Sequence, residues 1–123
     1  MVVDTSAILA VLFNEKQGPK VAEIMEASSH QLRMSTVNLA ETLILLEDRQ
    51  PQLFEELKKD ILSLSIRFVS PSVAQAEVAA AARLKFPLNL GDCFAYALSK
   101  EEDCPILTLD LDFKRTDRTV IIP

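Results

Sequence analysis

Five acidic residues sit where a carboxylate could do chemistry. Asp4 follows the apolar pair Val2 and Val3 in MVVDTSAILAVLF, Glu41 lies within STVNLAETLILL, Asp92 opens a helical stretch in NLGDCFAYALSK, and Asp110 and Asp112 end PILTLDLDF. Carboxylates gathered without a histidine or cysteine set supply hard oxygen ligands, which suit Mg²⁺ or Mn²⁺. His30 is the one histidine, and Cys93 and Cys104 lack metal-ligand spacing. His30 reads as a solvated loop residue and Cys93, on a helix, as packing.

Each acid also has a purely structural reading. Asp4 would cap the helix that follows it, Asp92 would favour a helix macrodipole from the first turn, and Asp110 would lead a turn. Asn38 and Glu41 have the spacing of a capping box. If the helix begins earlier, Glu41 falls on a face with Val37, Ile44 and Leu45, where an unpaired carboxylate is costly. Taken singly, these readings suffice. Together they leave unexplained why acids close apolar strands near both ends of the chain.

The elements that must position these acids alternate in type. Short apolar runs at Met1 to Val3, Gln31 to Met34, Arg67 to Val69, PILTLD and TVIIP read as strands. Helices are expected over Ser6 to Phe13, Pro19 to Ser28, STVNLAETLILLEDRQ, Pro51 to Leu64, SVAQAEVAAAARLKF with Ser70 as N-cap and Pro71 at the first position, and GDCFAYALSKEED. Continuously apolar strands between amphipathic helices indicate an α/β domain with a doubly wound parallel sheet. Ligands of such sheets sit beyond the carboxyl ends of the strands, near the topological switch point. Asp4 and Asp110 follow strands and Glu41 and Asp92 open helices, so all four are expected at that edge.

The remaining composition narrows the class. At 123 residues the chain has the size of one domain, residues 1–123. Only Gly18 and Gly91 are glycines, which excludes phosphate-cradling glycine loops. A net charge of −5 argues against a broad basic surface gripping nucleic acid, although carboxylates loaded with cations present positive charge to phosphate. No apolar run approaches the ~20 residues that span a bilayer, the N-terminus lacks the basic region of a signal peptide, and two unpaired cysteines fit a reducing compartment. A soluble cytoplasmic protein without a membrane partner is expected.

In order and separation, VVDTSAILAVLF, STVNLAETLILL, NLGDCFAYALSK and PILTLDLDF resemble the motif set of PIN domains, most of all the single-domain VapC-type toxins of bacterial toxin–antitoxin pairs. The likeness runs from Val2 to the C-terminus. It implies a three-layer α/β/α sandwich around a mainly parallel sheet, acting as a Mg²⁺- or Mn²⁺-dependent ribonuclease. Asp4, Glu41 and Asp92 match the family's acids; Asp110 is the better match for the fourth, with Asp112 the alternative. The resemblance implies that Asp4 and Asp92 ligate the ion directly, while Glu41 and Asp110 reach it through water or hold a second one. Thr5 and Ser6 match hydroxyl residues beside the first acid, and Asn38 is placed to orient Glu41. Arg33, Lys85, Lys114 and Arg115 are candidates for phosphate contacts. RNA as substrate, a cognate antitoxin and a homodimer are the implied partners.

Two other enzyme classes fit less well. LTLDLDF resembles the nucleophile motif of haloacid dehalogenases, but only 11 residues follow Asp112, too few for the rest of that site. A receiver domain gathers acids at strand ends too, yet its acid pair and lysine have no match here. The rival from a different class is a PIN-like protein-binding module with weak or no nuclease activity.

Overall fold

The computed structural model describes residues 1–123. Five strands, β1 (Val2–Val3), β2 (Leu32–Ser35), β3 (Ile66–Val69), β4 (Ile106–Leu107) and β5 (Val120–Ile121), form one sheet in the order β3-β2-β1-β4-β5. Every pairing is parallel. Six helices cover it: α1 (Thr5–Leu12), α2 (Gly18–Ala27), α3 (Thr36–Arg49), α4 (Phe54–Ser63), α5 (Val73–Lys85) and α6 (Leu90–Glu102). A short 3₁₀ turn spans Leu111–Arg115. The expected three-layer α/β/α architecture is the one observed. None of the helices is long and apolar enough to cross a membrane.

The side-chain period of two along a strand builds two cores from consecutive residues. Val2 and Ile106 pack with Ala79, Ala82, Tyr96, Leu98 and Phe113 on the α5/α6 face. Val3 and Leu107 pack with Ile8, Val21, Met25, Met34 and Ile61 on the α1/α2/α4 face. Cys93 is buried in the first core and Cys104 is half-buried, both as free thiols.

Local signals explain most element boundaries. Ser35, whose Oγ accepts from Val37 N at 3.2 Å, caps α3. The cap of α5 is Ser72, whose Oγ accepts from Gln75 N at 3.1 Å, so the expected Ser70–Pro71 start lies two residues early. Asn38 falls inside α3, which removes the reading of Asn38 and Glu41 as a capping box.

Because β1 leads to β2 and β3 on one side while β4 and β5 lie on the other, the switch point falls between β1 and β4. Helix α6 reaches this edge by a route different from the expected one. It follows α5 rather than a strand, and it runs into β4 through Asp103 to Pro105. Since β4 is parallel to its neighbours, α6 runs against the strands and begins where they end.

Candidate active site

Asp4, Thr5, Ser6, Glu41, Asn89, Asp92 and Asp110, with Leu9 and Leu45, line a cavity of about 240 Å³ at the switch point. Asp112 does not line it: this residue is exposed in the 3₁₀ turn, where its N–H donates to Asp110 Oδ1 at 2.9 Å. Of the two candidates for the fourth acid, Asp110 is therefore the one at the cavity.

Asp4 is held by its neighbours rather than by solvent, with 2% of its surface exposed. Oδ2 accepts from Ser6 Oγ at 2.7 Å, from Thr108 Oγ1 at 2.8 Å and from Ser6 N at 3.4 Å, so the carboxylate does cap α1. Oδ1 is buried and has no partner. Burial pushes the carboxyl above its usual range, against the pull of the Ser6 and Thr108 hydroxyls.

Asp92 has two functions in view as well. Asn89 Oδ1 accepts from Asp92 N at 2.8 Å, and Asp92 Oδ2 accepts from Asn89 N at 3.3 Å, which makes a capping box at the start of α6. Burial, and then the Asp4 charge beside it, push the Asp92 carboxyl up to about 7, with Asp110 and Glu41 adding smaller repulsions. A carboxyl raised this far by desolvation and like charges in a cleft marks a functional-site candidate.

Glu41 is fixed through one oxygen. Oε1 accepts from Asn38 Nδ2 at 2.9 Å and Thr5 Oγ1 at 3.0 Å, and Asn38 Nδ2 also donates to the Gly91 carbonyl at 3.0 Å. Asn38, wholly buried, thus ties α3 to α6 and orients Glu41.

Thr108 carries a role that the motifs do not advertise. The register pairs Val3 with Leu107, so Thr108 stands opposite Asp4. Its Oγ1 donates to Asp4 Oδ2 and accepts from Asp110 N at 2.9 Å, coupling the two strand-end acids through one hydroxyl. Only the pairing of β1 with β4 shows this, because the two residues are 104 positions apart. Thr108→Val should leave the Asp110 N–H unpartnered, costing about 1–3 kcal/mol in thermal unfolding, and should weaken Mn²⁺ binding about 10- to 100-fold. Thr108→Ser should restore both; a valine variant equal to wild type in Mn²⁺ titration would refute the role.

Four basic residues named for phosphate contacts end up in different places. Arg33 pairs with Glu102, which also binds Arg67 Nη2 at 2.5 Å, so it serves the sheet. Glu102 ends α6 ten residues beyond Asp92, about 15 Å along the helix axis. Arg33 is thereby removed as a phosphate ligand. Lys85 stands over the Phe86 ring at 5.4 Å and borders a separate cleft, while Lys114 and Arg115 are exposed in the 3₁₀ turn. His30 is an exposed loop residue with φ 74°.

The donor set consists of hard carboxylate oxygens, and one of them, the buried Oδ1 of Asp4, has no partner in the chain. Both fit Mg²⁺ or Mn²⁺. No three His, Cys, Asp or Glu side chains stand close enough together to form a ready metal cluster.

A parallel five-stranded α/β domain with acids gathered at its switch point is the build of a PIN domain. The PIN domain family model matches residues 1–119, and the chain belongs to that family. Within it the chain groups with the VapC ribonucleases. Ribonuclease VapC30 of Mycobacterium tuberculosis is 35% identical over 133 aligned positions that cover both proteins in full. Among solved structures, M. tuberculosis VapC20, described as a sarcin–ricin loop cleaving toxin, superposes with a TM-score of 0.84 at 18% identity over 99% of this chain and 98% of its own. A toxin–antitoxin complex from Klebsiella pneumoniae gives 0.78 at 23% identity, over 99% and 96%.

Proposed function

We propose that this protein is a Mg²⁺- or Mn²⁺-dependent endoribonuclease and the toxin of a toxin–antitoxin pair. The observation that carries the reading is the placement of Asp4, Glu41, Asp92 and Asp110 around one cavity at the sheet's switch point. Relatives named as ribonucleases support the reaction class.

Asp4, through its free Oδ1, and Asp92 would hold the cation, with Glu41 and Asp110 completing the acidic shell. A divalent ion bound there would supply Lewis acidity and charge stabilisation for hydrolysis of a phosphodiester by water. The chain's own part is to hold the carboxylates still. Ser6 and Thr108 fix one Asp4 oxygen and leave the other unpartnered, Asn38 and Thr5 fix Glu41, and the capping box fixes Asp92. No side-chain nucleophile is needed. The acid cluster by itself repels RNA, and a bound cation reverses that local sign.

RNA cleavage should fall about 10³-fold or more in EDTA, because the ion's charge stabilisation is worth several kcal/mol. Refilling with Mn²⁺ or Mg²⁺ should restore it. Cleavage indifferent to EDTA, or no cation binding at all, would instead favour the protein-binding module.

The same reading extends to partners. Leu90 and Leu111, 63% and 62% exposed, flank Asp92 and Asp110 and offer apolar surface to an antitoxin segment reaching the acids. The solved toxin–antitoxin complex from K. pneumoniae, which shares this fold, supports such a partner. For a second copy of the chain, Val73 and Leu84 present exposed apolar side chains on α5. Co-expression with the adjoining reading frame and mass measurement in solution check these two associations.

A further inference from the structure

Gly91 is buried in the first turn of α6, one residue before Asp92. Its φ is not positive, so the backbone does not call for glycine there. Alanine is the better helix residue. What the position forbids is a side chain: a Cβ there would stand 2.1 Å from Glu41 Oε2 and 2.4 Å from Oε1. Ordinarily the end of a glutamate could swing away. Here Oε1 is held by Thr5 Oγ1 and Asn38 Nδ2, and Asn38 is itself anchored to the Gly91 carbonyl. Thr42 Oγ1 donates to the Asn38 backbone carbonyl at 2.8 Å, one turn back along α3. The Glu41 carboxylate therefore occupies the volume of the missing Cβ, against the positive end of α6.

We propose that Gly91 is a positioning residue that seats the Glu41 carboxylate beside Asp92; its consequence for the cation rests on the metal-nuclease reading, whereas the seating does not. A side chain at position 91 forces Glu41 off Thr5 and Asn38 and out of the acidic shell. Position 91 thus selects for glycine through a residue 50 positions away rather than through its own backbone.

A double-mutant cycle on the full chain tests this, with wild type, Gly91→Ala, Glu41→Ala and the double variant. Each is read twice, by Mn²⁺ affinity and by thermal unfolding in EDTA. Gly91→Ala should weaken Mn²⁺ binding by about 10- to 100-fold, as much as Glu41→Ala does, and the double variant should bind no worse than Glu41→Ala alone. In unfolding, Gly91→Ala should lower the midpoint when Glu41 is present and raise it when Glu41 is alanine, because the clash is gone and alanine favours the helix. Additive losses of affinity, or the same midpoint change in both backgrounds, would overturn the proposal. If wild type binds no Mn²⁺ the nuclease reading fails, and the unfolding cycle still decides the seating: a reversal of sign upholds it and equal changes reject it.

Discussion

Asp4→Asn is expected to cut RNA cleavage about 10³-fold or more while raising the unfolding temperature of the metal-free protein. The two effects have one cause. Asp4 is a buried carboxylate with one oxygen satisfied by Ser6 and Thr108 and the other by nothing in the chain. Burial raises its pKa, so the charged form destabilises the fold in the absence of a cation. Asparagine keeps an oxygen for the three donors on the Oδ2 side. It replaces the orphaned oxygen by an amide that no longer repels Asp92, whose own carboxyl is raised partly by Asp4. A gain of about 1–2 kcal/mol is a rise of several degrees for a domain of this size. The same exchange removes the one Asp4 oxygen left unpartnered and free for a cation. Calorimetry in EDTA and a cleavage assay with Mn²⁺ check both halves. An active variant would refute the catalytic half, and a metal-free midpoint that falls would show that Asp4 contributes to stability instead.

Such opposed effects clarify which features were legible in the sequence. Apolar runs ending in acids gave away the sheet and its functional edge, because a buried parallel strand has to be continuously apolar and its first polar residue marks its end. Val2, Val3, Ile106 and Leu107 show the rule directly, each wholly buried and each pair divided between the two cores. Asp4 and Asp110 stood out for this reason, and Glu41 and Asp92 stood out as acids near the starts of helices. Features that depend on register did not. Thr108 reads as an ordinary strand residue until β1 and β4 are paired, and Gly91 reads as a helix-weakening residue until α3 is laid against α6. Competition between equivalent local signals accounts for the displaced caps: Ser70 and Ser72 are both good N-caps, and it is Ser72 whose side chain accepts from Gln75 N. Asn38–Glu41 and Asn89–Asp92 have the same three-residue spacing, yet the first lies within a helix capped by Ser35 and the second forms the box. Arg33 illustrates a related limit, since its partner Glu102 is 69 residues distant and only the tertiary structure brings them together.

The second large effect concerns pH. Asp92 is pushed from the usual 3.8 up to about 7, by burial first and the Asp4 charge next. Over that interval the folded protein holds a proton that the unfolded chain has released. Its stability is therefore greatest below the unfolded pKa and falls as pH rises from about 4 to about 7, then levels. A displacement of that size amounts to at most about 4 kcal/mol, and Asp4 acts in the same direction. In EDTA the unfolding midpoint should drop by several degrees between pH 5 and pH 7.5, and Asp92→Asn should flatten the slope. Added Mn²⁺ should have the opposite profile: its stabilisation grows with pH, because filling the site releases the proton held by Asp92. A midpoint that rises from pH 5 to pH 7.5 in EDTA would contradict the assignment. So would a slope unchanged by Asp92→Asn, since the proton would then belong to another group. The metal-free site is thus least stable at the pH where its carboxylates are ready for a cation, and a bound ion removes the repulsion that makes it so.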